Sequence, residues 1–158
     1  MDDWPLGYIK RTIVGERRTA NNGSDITYLV YRWDDPSPDP IGVNDREGAI
    51  YVSESVVKSD ERRADLTALH EQVELQHKAR GRSHAYAHRR AFVEELLAAK
   101  QLLGLAPEVQ CYIQWKIEQY PPWKVFDRAG AIARLSHLLT SAAPRKGDIL
   151  RVITDYPL

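Results

Sequence analysis

The first third of the chain alternates apolar and polar residues over short runs that end at turn residues. The runs GYIKRTIV at residues 7–14 and ITYLVYRW at 26–33 are rich in β-branched and aromatic side chains, which favour strands, and NNGSD between them is a turn signal. Residues 34–40 contain three prolines, whose nitrogens cannot donate to a strand ladder, so we expect a surface loop there. Another strand is predicted at residues 49–52. The pattern therefore predicts a small N-terminal antiparallel sheet.

The rest of the chain carries apolar residues at helical spacing. Helices are predicted at residues 59–79, 83–103, 107–119 and 125–141, with Ser59 or Asp60 as the first N-cap and with Gly81 and Gly104 as helix ends. The last segment, GDILRVITDY at residues 147–156, has the composition of a final strand. Strands followed by helices indicate an α+β fold, and 158 residues are typical of one domain, here residues 1–158.

Composition and charge exclude several classes of partner. The chain has 22 Lys and Arg against 22 Asp and Glu, so no global field draws it to nucleic acid or to an anionic membrane. Cys111 is the single cysteine, which forbids an internal disulfide, and we expect it to be a buried small hydrophobe. The first residues lack an apolar run of signal-peptide length, and no stretch approaches the roughly 18 apolar residues that span a bilayer. We therefore expect a cytoplasmic protein.

Histidines and glutamates concentrate in the first predicted helix pair. Four of the five histidines lie within the nineteen residues from 70 to 88. On the first helix, His70 and Glu74 are four residues apart and share the stripe of Leu66 and Val73, which should face the core. Polar groups on that stripe require an explanation, because burying unpaired ionisable groups costs several kcal/mol.

The second helix repeats the pattern with His84, His88, Ala91 and Glu95. The small Ala91 lies one turn from His88, where a bulky side chain would obstruct the facing helix. A divalent cation shared between the two helices would offset the cost of burying these groups. The two faces therefore indicate a metal site built from histidine and carboxylate.

The segment HEQVE, residues 70–74, resembles the active-site helix of zincin metallopeptidases, whose usual motif is HExxH; Glu74 stands in place of the second histidine. The stretch SHAYAHRRAFVEE is similar to the second helix of small zincin-like proteins of the HExxE type found among phage and mobile-element proteins, with Ala87, His88, Ala91 and Glu95 in the matching positions. More distantly, GAIYVSESVV and ERRADLTALHE resemble the strand and helix that enter the active site of ImmA/IrrE-type peptidases. The resemblance covers residues 49–95, under a third of the chain.

This resemblance implies a zinc ion (Zn²⁺) held by His70, Glu74 and His88, with Glu95 as a further ligand or as a partner of one. It implies that Glu71 acts as general base on the zinc-bound water in peptide or amide hydrolysis. A carboxylate ligand donates more charge than imidazole and makes that water less acidic. The implied function is a zinc-dependent hydrolase of metallopeptidase type acting on a protein or peptide.

Two alternatives accompany this interpretation. The first is a zincin scaffold that binds or regulates a partner protein, through the edge of its N-terminal sheet, without catalysis. The second is a di-metal carboxylate protein, since Glu74 and His77 have the Glu-x-x-His spacing of such bundles, although no second such motif follows. Among the other histidines of this helix pair, His77 is interpreted as a helix-end residue rather than a ligand, and His84 has no assigned role. The basic residues around the turn are interpreted as a solvated helix end and not as a nucleic-acid site; they are Lys78, Arg80, Arg82, Arg89 and Arg90.

Overall fold

The computed structural model describes residues 11–21, 24–34, 38–119 and 127–156. In these ranges a four-stranded sheet comes first and six helices follow, which confirms the predicted α+β class. The chain forms two compact units, Met1–Ala91 and Phe92–Leu158. That residues 1–158 make one zincin-like domain stays a prediction.

The sheet of the first unit is mixed rather than antiparallel throughout. Its strands are β1 (Arg11–Asn21), β2 (Ser24–Trp33), β3 (Gly42–Asn44) and β4 (Ile50–Ser53), in the spatial order β1, β2, β4, β3. β1 with β2 and β3 with β4 are antiparallel, whereas β2 and β4 are parallel. The sequence prediction missed β3, because three residues are too few for an alternating pattern. The chain reverses direction before β3 and again before β4, which runs antiparallel to β3. β4 therefore runs parallel to β2.

The two faces of β2 contact different parts of the first unit. Ile26, Tyr28 and Val30 alternate along one buried face, and Tyr28 donates a hydrogen bond of 2.7 Å from its hydroxyl to Asp65 on a helix that packs against this face. The opposite face holds a small cluster of Tyr31, Val43 and Tyr51. A helix therefore packs on one face of the sheet, and a small cluster rich in tyrosine covers part of the other face.

That helix, α2 (Glu61–Ala79), follows a short helix α1 (Glu54–Ser59) that the sequence pattern did not separate from it. Asp60 is its N-cap, as predicted, and accepts the backbone N–H of Arg62. The third helix, α3 (His84–Leu103), confirms the prediction for residues 83–103. Gly81 between α2 and α3 has φ of 78°, a left-handed conformation that glycine adopts without steric cost and that lets the chain reverse direction.

The second unit contains the rest of α3 with α4 (Ala106–Glu118), α5 (Arg128–Leu139) and α6 (Lys146–Asp155). The predicted final strand is wrong, because this segment is α6. Its buried residues Ile149, Val152 and Ile153 have the i, i+3, i+4 spacing of one helical face, which outweighs their β-branched composition. The fourth predicted helix begins at residue 125, and residues 120–126 lie outside the described ranges. Cys111 is exposed, so its expected burial is also wrong.

No helix in the described residues is long and apolar enough to cross a membrane.

Candidate metal centre

The candidate site lies in the first unit, where the C-terminal half of α2 meets the first turns of α3. α2 contributes His70, Glu71 and Glu74, and α3 contributes His88. Helical spacing places His70 and Glu74 on one face of α2, and the tight turn at Gly81 returns the chain so that His88 faces them.

Three predicted ligand residues converge on one point. The Nε2 of His70 lies 3.3 Å from Oε2 of Glu74 and 3.2 Å from Nδ1 of His88, and His88 Nδ1 lies 3.6 Å from the same carboxylate oxygen. Ligands at the usual 2.0 to 2.1 Å from a tetrahedral ion are about 3.3 Å apart. The three donor atoms therefore have the spacing of one face of such a coordination shell, and His70, Glu74 and His88 could hold a metal ion.

Glu74 is a buried carboxylate whose charge is stabilised by its neighbours. Its burial, the largest single influence, opposes ionisation, but the combined hydrogen bonds of His70, His84 and His88 outweigh it and hold the pKa of Glu74 far below its usual range. The carboxylate is therefore ionised and can bind a cation.

The two oxygens of Glu74 have different partners. Oε2 faces His70 and His88, as described above. Oε1 pairs with the ammonium of Lys78 at 2.7 Å and lies 3.3 Å from Nδ1 of His84. His84 also stacks on His88, with ring centroids 6.1 Å apart, so the side chain without an assigned role lines the same site. Oε2 of Glu74 thus faces the two candidate histidine ligands. Oε1 is held by Lys78 and His84.

Glu71, the predicted general base, lies beside this group. Only 9 % of its surface is exposed, and its Oε2 accepts a hydrogen bond of 2.5 Å from Nδ2 of Asn44 on β3. The same amide nitrogen lies 3.5 Å from Oε1 of Glu74. The side-chain amide of Asn44 is therefore a hydrogen-bond donor that lies close to the carboxylates of both Glu71 and Glu74.

Asn44 and the pairing of Lys78 with Glu74 belong to the site but are not predicted from the sequence pattern. Asn44 comes from the strand that no pattern revealed, 30 residues before Glu74, and no local spacing links the two. Lys78 carried a usable signal, because a glutamate four residues before a lysine is a favourable helical pair. Its position beside other basic residues predicts instead a place on the basic surface at the end of the helix.

Glu95 and His77 lie outside the group of three donors. Glu95 is fully buried in the second unit, where its Oε2 accepts a hydrogen bond from the Tyr112 hydroxyl and lies 3.2 Å from Nζ of Lys116. His77 packs its ring edge-on against Tyr86, with centroids 5.5 Å apart. A ligand role for Glu95 stays a prediction, and His77 has an aromatic neighbour of its own.

No protein-family model, curated protein or solved structure matches this chain. The resemblance to zincin-like proteins therefore rests on the sequence motifs within residues 49–95.

Proposed function

We propose that this protein is a metal-dependent hydrolase of peptide or amide bonds, with His70, Glu74 and His88 as metal ligands and Glu71 as general base. One observation carries the proposal: the donor atoms of His70, Glu74 and His88 lie 3.2 to 3.6 Å apart beside a second buried carboxylate, that of Glu71. Imidazole nitrogen and carboxylate oxygen are ligands that zinc prefers, so zinc is the proposed ion.

The burial of these groups supports a bound cation. His70 is 2 % exposed and Glu74 is 4 % exposed, so neither side chain relies on bulk water for solvation. His70 Nε2 and His88 Nδ1 lie 3.2 Å apart, and in a neutral imidazole one of the two ring nitrogens has a free lone pair. A divalent ion would use the lone pairs of both nitrogens at once and offset the negative charges of the two glutamates.

Glu71 performs the proton transfers in this mechanism. A bound divalent ion supplies Lewis acidity, which polarises the substrate carbonyl and makes water a better nucleophile. The Glu71 carboxylate takes a proton from the attacking water as the new C–O bond forms. It then delivers that proton to the amide nitrogen as the C–N bond breaks, so that the products are an acid and an amine and Glu71 returns to its ionised form.

Metal content of purified protein tests the ligand set. Protein prepared without chelators or nickel resin and titrated with zinc should hold about one ion per chain. His70→Ala and His88→Ala should lose it. His77→Ala is the matched control, because His77 is on the same helix but outside the donor group, and it should keep the ion. Wild-type protein that retains no ion, or His70→Ala with full occupancy, contradicts the proposal.

Glu71→Gln tests the catalytic role. Glutamine is nearly isosteric and Glu71 is not a proposed ligand, so the variant should keep its metal. An amide cannot accept the proton of water, and loss of a general base typically slows turnover by about 100- to 10,000-fold. The assay is cleavage of a mixed peptide library by wild type and variant at equal metal content. A variant that cleaves at the wild-type rate would remove Glu71 from the mechanism.

A second candidate is a binding protein without catalysis, for which β1 offers a surface. β1 is an outer strand of the described sheet, and its Ile13 and Val14 are 47 % and 40 % exposed. Such edges accept an added strand from a partner. In this case wild type cleaves nothing in the library, and Glu71→Gln leaves affinity for the partner unchanged. The di-metal alternative has less support, because the described residues contain one converging donor group.

A further inference from the structure

We propose that Asn44 is a positioning residue for Glu71: its side-chain amide holds the general-base carboxylate in place beside the metal ligands. This inference rests on the proposed hydrolase function. It concerns a residue on the outer strand β3, not on either helix of the site.

The hydrogen bonds of Asn44 determine the orientation of its amide. Nδ2 donates to Oε2 of Glu71 at 2.5 Å and lies 3.5 Å from Oε1 of Glu74, whereas Oδ1 lies 3.5 Å from the ammonium of Lys78. The opposite orientation would place an oxygen against two carboxylates and an NH₂ group against a cation. The surrounding charges therefore admit one amide orientation, and in that orientation Asn44 donates to Glu71.

The backbone of β3 lies unusually close to Glu71. A Cβ atom added at Gly42 would lie 2.5 Å from the Thr67 methyl carbon and 3.2 Å from Oε1 of Glu71. Glycine is thus required for β3 to approach α2 this closely, and the approach brings Asn44, two residues later, within reach of Glu71. Two features of β3 therefore confine the Glu71 carboxylate: the close backbone at Gly42 and the side-chain amide of Asn44.

A strained turn directly precedes this strand. Ile41 has φ of 59°, an unfavourable conformation for a β-branched residue, and the Gly42 N–H donates to the Pro40 carbonyl across it at 2.7 Å. Asp39 supports the turn by accepting the N–H of Ile41 and the hydroxyl of Tyr31, each at 2.9 Å. Strain of this kind persists only where surrounding contacts enforce it, and it is concentrated at functional sites. In this protein the strained turn at Ile41 determines the direction in which β3, the strand that carries Asn44, begins.

Asn44 supplies one hydrogen-bond donor to two neighbouring carboxylates. The carboxylates of Glu71 and Glu74 both approach Nδ2, so the amide reduces their repulsion and limits the rotation of the Glu71 side chain. Loss of a precise catalytic orientation, even by about 1 Å, can slow turnover by about 100-fold.

Asn44→Asp and Asn44→Ala test the inference. Aspartate keeps the size of asparagine but replaces the donor with a third carboxylate, and alanine removes the side chain. Both variants should keep about one metal ion per chain and lose about 100-fold in kcat, with a smaller change in KM. Gln76→Ala is the control, since it removes an exposed amide from α2 away from the site and should keep the wild-type kcat.

The decisive comparison uses the Glu71→Gln background. If Asn44 acts through Glu71, adding Asn44→Ala to Glu71→Gln should slow the residual turnover by less than about 3-fold, whereas a merely structural role lowers it by the same factor in both backgrounds. A second readout needs no turnover: an Asn44 side-chain amide proton should resonate downfield in an NMR spectrum and lose that shift in Glu71→Ala.

The outcomes separate the inference from the proposed function. Wild-type kcat in Asn44→Ala, or an unshifted Asn44 amide resonance, overturns the positioning role while metal binding and cleavage by wild type leave the hydrolase standing. Absence of metal or of cleavage in the wild type overturns both.

Discussion

A buried ion pair in the second unit gives the sharpest stability prediction. Glu95 has no exposed surface, and Lys116 on α4 is 7 % exposed, with Oε2 and Nζ 3.2 Å apart. The buried hydroxyl of Tyr112 donates to the same carboxylate oxygen. Because both charges are withdrawn from water, each depends on the other for stabilisation. Glu95→Gln keeps the shape of the side chain and removes its charge, which leaves the ammonium of Lys116 buried without the carboxylate that faces it.

Breaking one side of a buried pair typically costs about 3 to 5 kcal/mol. We expect Glu95→Gln to lower the free energy of unfolding by about 3 kcal/mol, at the lower end of that range, because the amide oxygen can still accept the Tyr112 hydrogen bond. Lys116→Met, which keeps an apolar stem, should cost a similar amount. Urea unfolding followed by tryptophan fluorescence measures these changes, with a chelator present so that no metal contributes to stability.

The double variant checks the reasoning. Glu95→Gln with Lys116→Met removes both charges, so its loss of stability should be smaller than the sum of the single losses by about 1 to 3 kcal/mol. Strictly additive losses, or a loss below about 1 kcal/mol for Glu95→Gln alone, would show that this pair is not a mutually dependent buried contact.

Two further predictions concern the sheet of the first unit. Burial, followed by the hydrogen bond to Asp65, raises the pKa of Tyr28 above its usual value, whereas tyrosine in the unfolded chain ionises near pH 10. Above that pH the unfolded state binds fewer protons, so ionisation of this residue should lower the free energy of unfolding by about 1.4 kcal/mol per pH unit. Urea unfolding between about pH 9 and 11 should show this contribution as the difference in slope between wild type and Tyr28→Phe. Gly42→Ala should lower the free energy of unfolding by about 1 to 3 kcal/mol, because the new methyl group overlaps the Thr67 methyl group. Thr67→Ser removes that methyl group and should recover part of the loss. Equal melting temperatures for Gly42→Ala with and without Thr67→Ser would contradict the overlap.

The local features of this protein can be predicted from its amino-acid sequence. Helical spacing predicted α2 and α3, Asp60 as the N-cap of α2, and the shared face of His70 and Glu74, because each depends on residues within a few turns of one helix. The short turn at Gly81 also made it predictable that His88 would face them. The three donors that converge were therefore all named from the sequence, although their occupation by a metal stays a prediction.

Other features depend on contacts between segments that are distant in the sequence. The parallel pairing of β2 with β4 arises from the way β3 returns beside β4, and three residues of β3 carry no periodic signal. The same is true of Asn44, whose contact with Glu71 crosses 27 positions of the chain. For α6, both strand and helix were compatible with the composition, and burial of one helical face against the second unit's core selected the helix. Local periodicity thus predicts which side chains share a helix face, whereas the partners of those side chains are set by the packing of segments that are remote in the sequence.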